Sequence, residues 1–244
     1  MYGVDFIMEE KNSLRMRCVR GASVMVVLSL ILILLIWQSR SGEQTTLNQA
    51  AEGSKEVVVI DPGHGGFDPG KVGTRETLEK DINLAIAKKV EKILSGSGYT
   101  VYMTRTEDVA LCSGNESSKK LADMKQRVKL IGEKQPVLAV SIHQNSFSAG
   151  TKGAQVFYYT GSEEGKKLAN ILQNSIRDVV GDDNRRVEKA NDSYYMLRKV
   201  SCPLVIVECG FLSNPEEEAL LCDEGYQQQM AQGICEGIEN FLYK

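Results

Sequence analysis

The chain has 244 residues, 42% hydrophobic and 25% charged, with 22 glycines and 5 prolines. That balance excludes collagen-like and disordered classes, and a net charge of −3 offers no concentrated cationic face for nucleic acid. There are only two histidines, so their positions carry weight.

Residues 22–38 open with ASVMVVLSLILILLIW, a run without a charge. Its length gives about 24 Å of helix, slightly short of a ~30 Å hydrocarbon core and closed by flanking residues or local thinning. Lys11, Arg15, Arg17 and Arg20 precede it and only Arg40 follows closely. The asymmetry places residues 1–21 in the cytoplasm and the bulk of the chain outside. An uncleaved membrane anchor is the reading the length favours, and a cleaved signal segment is the alternative. Residues 39–54 are small and polar, as in a tether, and residues 55–244 have the length of one domain. The cysteines after the apolar run number five (Cys112, Cys202, Cys209, Cys222 and Cys235), without a CxxC pair. They read as packed thiols, with room for one disulfide, rather than as a zinc site.

Five short, β-branched runs follow: Glu56–Ile60, Tyr99–Thr104, Val137–Ile142, Ala154–Tyr159 and Leu204–Val207. Most lack polar alternation, which suggests a sheet covered on both faces. Ile82, Ile86, Val90 and Ile93 recur at helical spacing, as do Tyr226, Met230, Ile234, Ile238 and Phe241. The alternation predicts an α/β fold, a single domain with a mostly parallel, mixed central sheet flanked by helices. Chemistry in such folds collects beyond the carboxyl ends of the strands.

His64 follows the first predicted strand in DPGHGG, His143 follows the third in SIHQN, and Glu208 ends the last in PLVIVE. A carboxylate at the tip of a buried strand is costly unless paired or metal-bound. Two imidazoles and one carboxylate form a three-ligand zinc set that leaves a fourth position for water. Glu79, at the start of the first helix, and Glu76 are both candidates for the third ligand, leaving Glu208 as general base. Each residue has a plainer role available. DPGHGG can be a turn, Glu79 can favour a helix dipole, and Glu208 can cap the next segment. Joint placement at strand ends favours the metal site.

VVVIDPGHGG, EKDINLAIA, VYMTR, SIHQN and VIVECGFLSNPEE occur in the order found in zinc-dependent N-acetylmuramoyl-L-alanine amidases of the amidase-3 family. The resemblance runs from about Val57 to Phe241. With NRRVEKANDSYYMLR before the last strand, it leans toward the spore-cortex branch. It implies that His64, Glu79 and His143 bind Zn2+ and that Glu208 is the catalytic glutamate, which selects Glu79 over Glu76. Asn83, Arg105, Asn145 and Asn214 match recurrent motif positions, and Asn145 and Arg198 are read as facing substrate. Gln144 stands where many members carry a small or apolar residue, and its side chain should point away from the metal if the pleat continues. The implied reaction is hydrolysis of the amide between N-acetylmuramic acid and L-alanine in peptidoglycan, leading to muramic δ-lactam in cortex. A zinc carboxypeptidase and a non-catalytic wall-binding protein are the competing readings. Expected partners are peptidoglycan, the membrane through the N-terminal segment, and an exported accessory protein.

Overall fold

A computed structural model describes residues 56–112, 118–181 and 184–243. The predicted anchor at 22–38 and tether at 39–54 lie outside the described residues, among which no helix is long and apolar enough to cross a membrane.

The described strands are β1 (Val57–Pro62), β2 (Thr100–Met103), β3 (Leu138–Asn145), β4 (Gln155–Tyr159), β5 (Lys189–Asn191) and β6 (Leu204–Phe211). The described helices are α1 (Glu79–Gly96), α2 (Lys119–Lys134), α3 (Glu163–Val180), α4 (Tyr195–Lys199), α5 (Pro215–Leu221) and α6 (Glu224–Leu242). The strands form one 6-stranded sheet in the order β2-β1-β3-β6-β4-β5. All neighbours are parallel except β4 and β6, which run antiparallel. The mixed, mostly parallel sheet is therefore as expected.

Side-chain alternation along the strands assigns each residue to a face. Val58, Ile60, Val140, Ile142, Val205 and Val207 pack with α1, α3 and α6 in one apolar core. Val59, Ala139, Leu204, Ile206 and Phe157 pack on the other face with Ile131 of α2 and Met196 and Leu197 of α4. Along this second face the stripes turn polar toward the carboxyl ends: Val59 leads to Asp61, Ala139 to Ser141 and His143, and Ile206 to Glu208.

Two strands run further than their apolar residues suggest. His143 and Glu208 were expected just past β3 and at the end of β6, but both lie inside their strands and are direct cross-strand neighbours. The ladder continues because the backbone pairs whatever the side chain, and Gln155 of β4 also registers with Glu208. The short β5 reads Lys-Ala-Asn and has no apolar signal, existing through its pairing with β4. All five cysteines of the described residues are free, with Cys209 and Cys235 buried.

Candidate metal centre

The segment after β1 carries His64 in a left-handed conformation, with φ of 60°. That costs a residue with a side chain of order 1–3 kcal/mol and persists only where surroundings hold it. Two arginines hold it here. Arg105 donates to the carbonyls of Pro62 at 3.0 Å and Gly63 at 2.9 Å. Arg127, on α2, donates to the carbonyls of Pro62 at 2.7 Å and His64 at 2.5 Å. Arg127 is itself fixed by Asp61 and Asp123, each at 2.7 Å. Asp61 also accepts from Thr104 at 2.5 Å and Ser141 at 2.6 Å. Burial opposes ionisation of Asp61, but Arg127 and the two hydroxyls prevail and lower its pKa to about 2.

Glu79 is the first residue of α1, whose N-cap Leu78 supplies no side-chain cap. Its carboxylate instead bridges outward. Oε2 accepts from the Lys71 backbone N–H at 2.7 Å, and Oε1 from that of Gln144 at 3.1 Å. Oε1 also lies 3.1 Å from His64 Nε2 and 3.0 Å from His143 Nδ1. The ligand-type atoms of His64, Glu79 and His143 all fall within 4.8 Å of one another. Burial opposes ionisation of Glu79, yet hydrogen bonds to His143 and His64 hold its pKa well below the usual carboxylate range. Burial likewise opposes the imidazolium of His64, but Glu79 and Asp68 outweigh it and raise its pKa.

The backbone makes room for this cluster. A Cβ on Gly63 would lie 2.2 Å from His143 Cε1, and one on Gly70 would lie 2.5 Å from Glu79 Oε2. Asn83 donates to the Gly63 carbonyl at 3.1 Å and accepts from the Gln144 side chain at 3.1 Å. Gln144 thus turns toward buried Asn83 rather than supplying a ligand atom. Asn214 caps α5 by accepting from the N–H groups of Glu216 and Glu217.

Glu208 is buried beside His143, and its Oε2 has no hydrogen-bond partner among the described residues. Burial pushes its pKa up to about 7, with Glu79 adding to the shift and the histidines opposing it. His64, Glu79, His143, Asn145 and Glu208 share one cavity of about 560 Å³. That volume lies within the ~300–1,000 Å³ of small-molecule sites. Asn145 Oδ1 accepts from the Ser146 N–H at 2.8 Å. Arg198 is exposed on α4 and lies outside the cavity wall, to which its neighbours Tyr194, Tyr195 and Met196 contribute.

Asp68, Asp123, Arg127 and the two tyrosines also line the cavity but were absent from the sequence-based site. Asp123 and Arg127 had only their four-residue helical spacing as a signal, which surface pairs share. Asp68 lay in view, four residues after His64.

His64, Glu79 and His143, with Glu208 beside them at the carboxyl ends of the parallel strands, form a candidate metal site of the kind that hydrolases use. Residues 58–240 match the N-acetylmuramoyl-L-alanine amidase family model. The chain belongs to that family, whose members hydrolyse the amide joining N-acetylmuramic acid to L-alanine in peptidoglycan. It is 37% identical over 193 residues to the germination-specific N-acetylmuramoyl-L-alanine amidase of Bacillus subtilis, covering 78% of this chain and 81% of that protein. It is 31% identical over 212 residues to the probable cell wall amidase LytH of Staphylococcus aureus, covering 83% of this chain and 66% of that one. The CwlD amidase of Clostridioides difficile, solved in complex with the GerS lipoprotein, superposes with a TM-score of 0.75 at 37% identity. That match covers 78% of this chain and 99% of the other.

Proposed function

We propose that this amidase is a zinc enzyme that strips stem peptides from muramic acid in spore-cortex peptidoglycan, ahead of muramic δ-lactam formation. The observation that carries the chemistry is the convergence of His64, Glu79 and His143 with a partnerless carboxylate oxygen of Glu208 in the same cavity. The likeness to a germination-specific relative supports the cortex role.

The donor set suits zinc: two neutral imidazoles and one carboxylate, with room for a further ligand. Bound there, zinc supplies Lewis acidity that polarises a carbonyl oxygen and makes water more acidic. The protein's own groups do the rest. Glu79, fixed by the Lys71 and Gln144 N–H groups, keeps its charge and its place. Glu208 takes the proton of the water that attacks the lactyl carbonyl carbon. It then delivers that proton to the alanine nitrogen as the C–N bond breaks. A buried carboxylate with one oxygen free of hydrogen-bond partners among the described residues suits a group that must both accept and return a proton. Asn145 in the cavity wall and Arg198 on the exposed side of α4 are assigned to substrate.

We also place the catalytic domain outside the cytoplasm, held by residues 22–38 or released if they are cleaved. The GerS complex of the CwlD relative supports an exported accessory protein as partner. Digestion of cortex peptidoglycan followed by mass spectrometry tests the activity. Released stem peptides with free N-terminal L-alanine are expected. Loss of terminal D-alanine alone would instead identify a carboxypeptidase, and intact peptidoglycan would favour a wall-binding protein.

A further inference from the structure

A metal-binding imidazole works through one ring nitrogen, and the group on the other nitrogen sets which tautomer is present and where the ring points. His143 presents Nδ1 to Glu79 at 3.0 Å, and among the described residues no other carboxylate lies within ion-pair distance of it. His64 differs. Its Nε2 faces Glu79 at 3.1 Å, while Nδ1 on the far side of the ring meets Asp68 Oδ2 at 2.9 Å.

Asp68 is placed to act as a fixed acceptor. Its other oxygen, Oδ1, accepts from Lys120 Nζ at 2.8 Å and from the Gly70 N–H at 3.3 Å. Those two donors hold the carboxylate plane and leave Oδ2 for the histidine. The Lys120 contact comes from α2, the helix whose Arg127 holds the His64 carbonyl. The backbone of His64 is thus held by one group and its ring by another.

We propose that Asp68 is a positioning residue of the metal centre. It retains the proton on His64 Nδ1, fixes the ring, and so dedicates Nε2 to the metal. The proposal rests on the reading of His64 as a zinc ligand. The general yield of such an outer carboxylate is about 10–100-fold in metal affinity. Asp68 is partly exposed and outside both cores, so its replacement leaves the packing that builds the fold untouched.

The test is zinc titration of the full chain, with nitrogen-15 correlation spectra of the imidazoles. Two histidines make the ring signals simple to assign. In the zinc-loaded wild type, His64 should carry metal on Nε2 and a slowly exchanging proton on Nδ1. Asp68→Ala should lose that slow exchange and raise the zinc Kd about 10–100-fold. Asp68→Asn keeps an acceptor oxygen at the same reach and should recover most of the affinity. A zinc Kd within about twofold of wild type in Asp68→Ala would overturn the proposal. So would an Asp68→Asn variant as weak as Asp68→Ala. The wild-type spectrum alone also decides: metal on Nδ1 of His64 sinks the idea without any variant. Failure of the wild type to bind zinc would instead sink the underlying metal reading.

Discussion

A carboxylate buried beside two imidazoles can keep its proton or find a cation. Glu208 is pushed up to about 7 by burial, with Glu79 adding repulsion and the two histidines only partly offsetting it. A divalent ion at the neighbouring ligands favours the charged form and pulls the pKa down. A carbon-13 titration of the metal-free protein should therefore show Glu208 with a midpoint near 7. Zinc should then lower it by about a unit or more. A midpoint that ignores zinc would separate Glu208 from the metal. Because a base works only when ionised, the acid limb of activity should follow the zinc-loaded value. Glu208→Gln removes the proton acceptor but no ligand. It should hold zinc as wild type does while turnover falls about 10²–10⁴-fold. Turnover within tenfold of wild type would assign the proton transfer to another group.

At the scale of elements, the site depends on how β1, β3 and α2 are joined beneath it. Asp61 at the end of β1 bonds Ser141 of β3 and Arg127 of α2. Removing one partner of such a buried pair leaves an uncompensated charge, at a cost of about 3–5 kcal/mol. Arg127→Met should lose stability of that order by urea denaturation, and a loss below about 1 kcal/mol would make the pair dispensable. The pH dependence has a definite sign. The folded pKa of Asp61 is depressed to about 2 from an ordinary 3.8. Its contribution is therefore present above the ordinary value and disappears as pH falls toward 2. Asp61→Asn should flatten the acid limb of the stability profile over that window, and an unaltered limb would place acid sensitivity elsewhere. This layer was the least legible part of the sequence. The apolar runs marked β1, β2, β3, β4 and β6, and the glycines of DPGHGG marked the turn that bears His64. Nothing local distinguished Arg127 from a surface arginine, because its partner Asp61 is brought to it only by folding. The lengths of β3 and β6 were hidden for a related reason. His143 and Glu208 look like strand breakers by polarity, yet the ladder carries them onto one face, side by side.

At the scale of the whole molecule, the proposed ligands come from three kinds of element: the loop after β1, the first residue of α1 and the body of β3. An unfolded chain has no reason to bring these together, so binding free energy at the site becomes folding free energy. At free zinc about 1,000-fold above Kd the gain is about 4 kcal/mol. For a domain of this size each kcal/mol moves Tm by about 2–4 °C, so zinc should raise Tm by about 8–16 °C. The free cysteines oppose this, because thiols of the unfolded chain also bind zinc and reduce the net shift. Glu79→Gln separates the two contributions. It removes a ligand charge from the folded site and leaves every cysteine in place, so it should lose most of the zinc-dependent rise or turn it into a fall. If wild type and Glu79→Gln respond to zinc alike in differential scanning calorimetry, the ion is binding somewhere other than the cluster at the carboxyl end of the sheet.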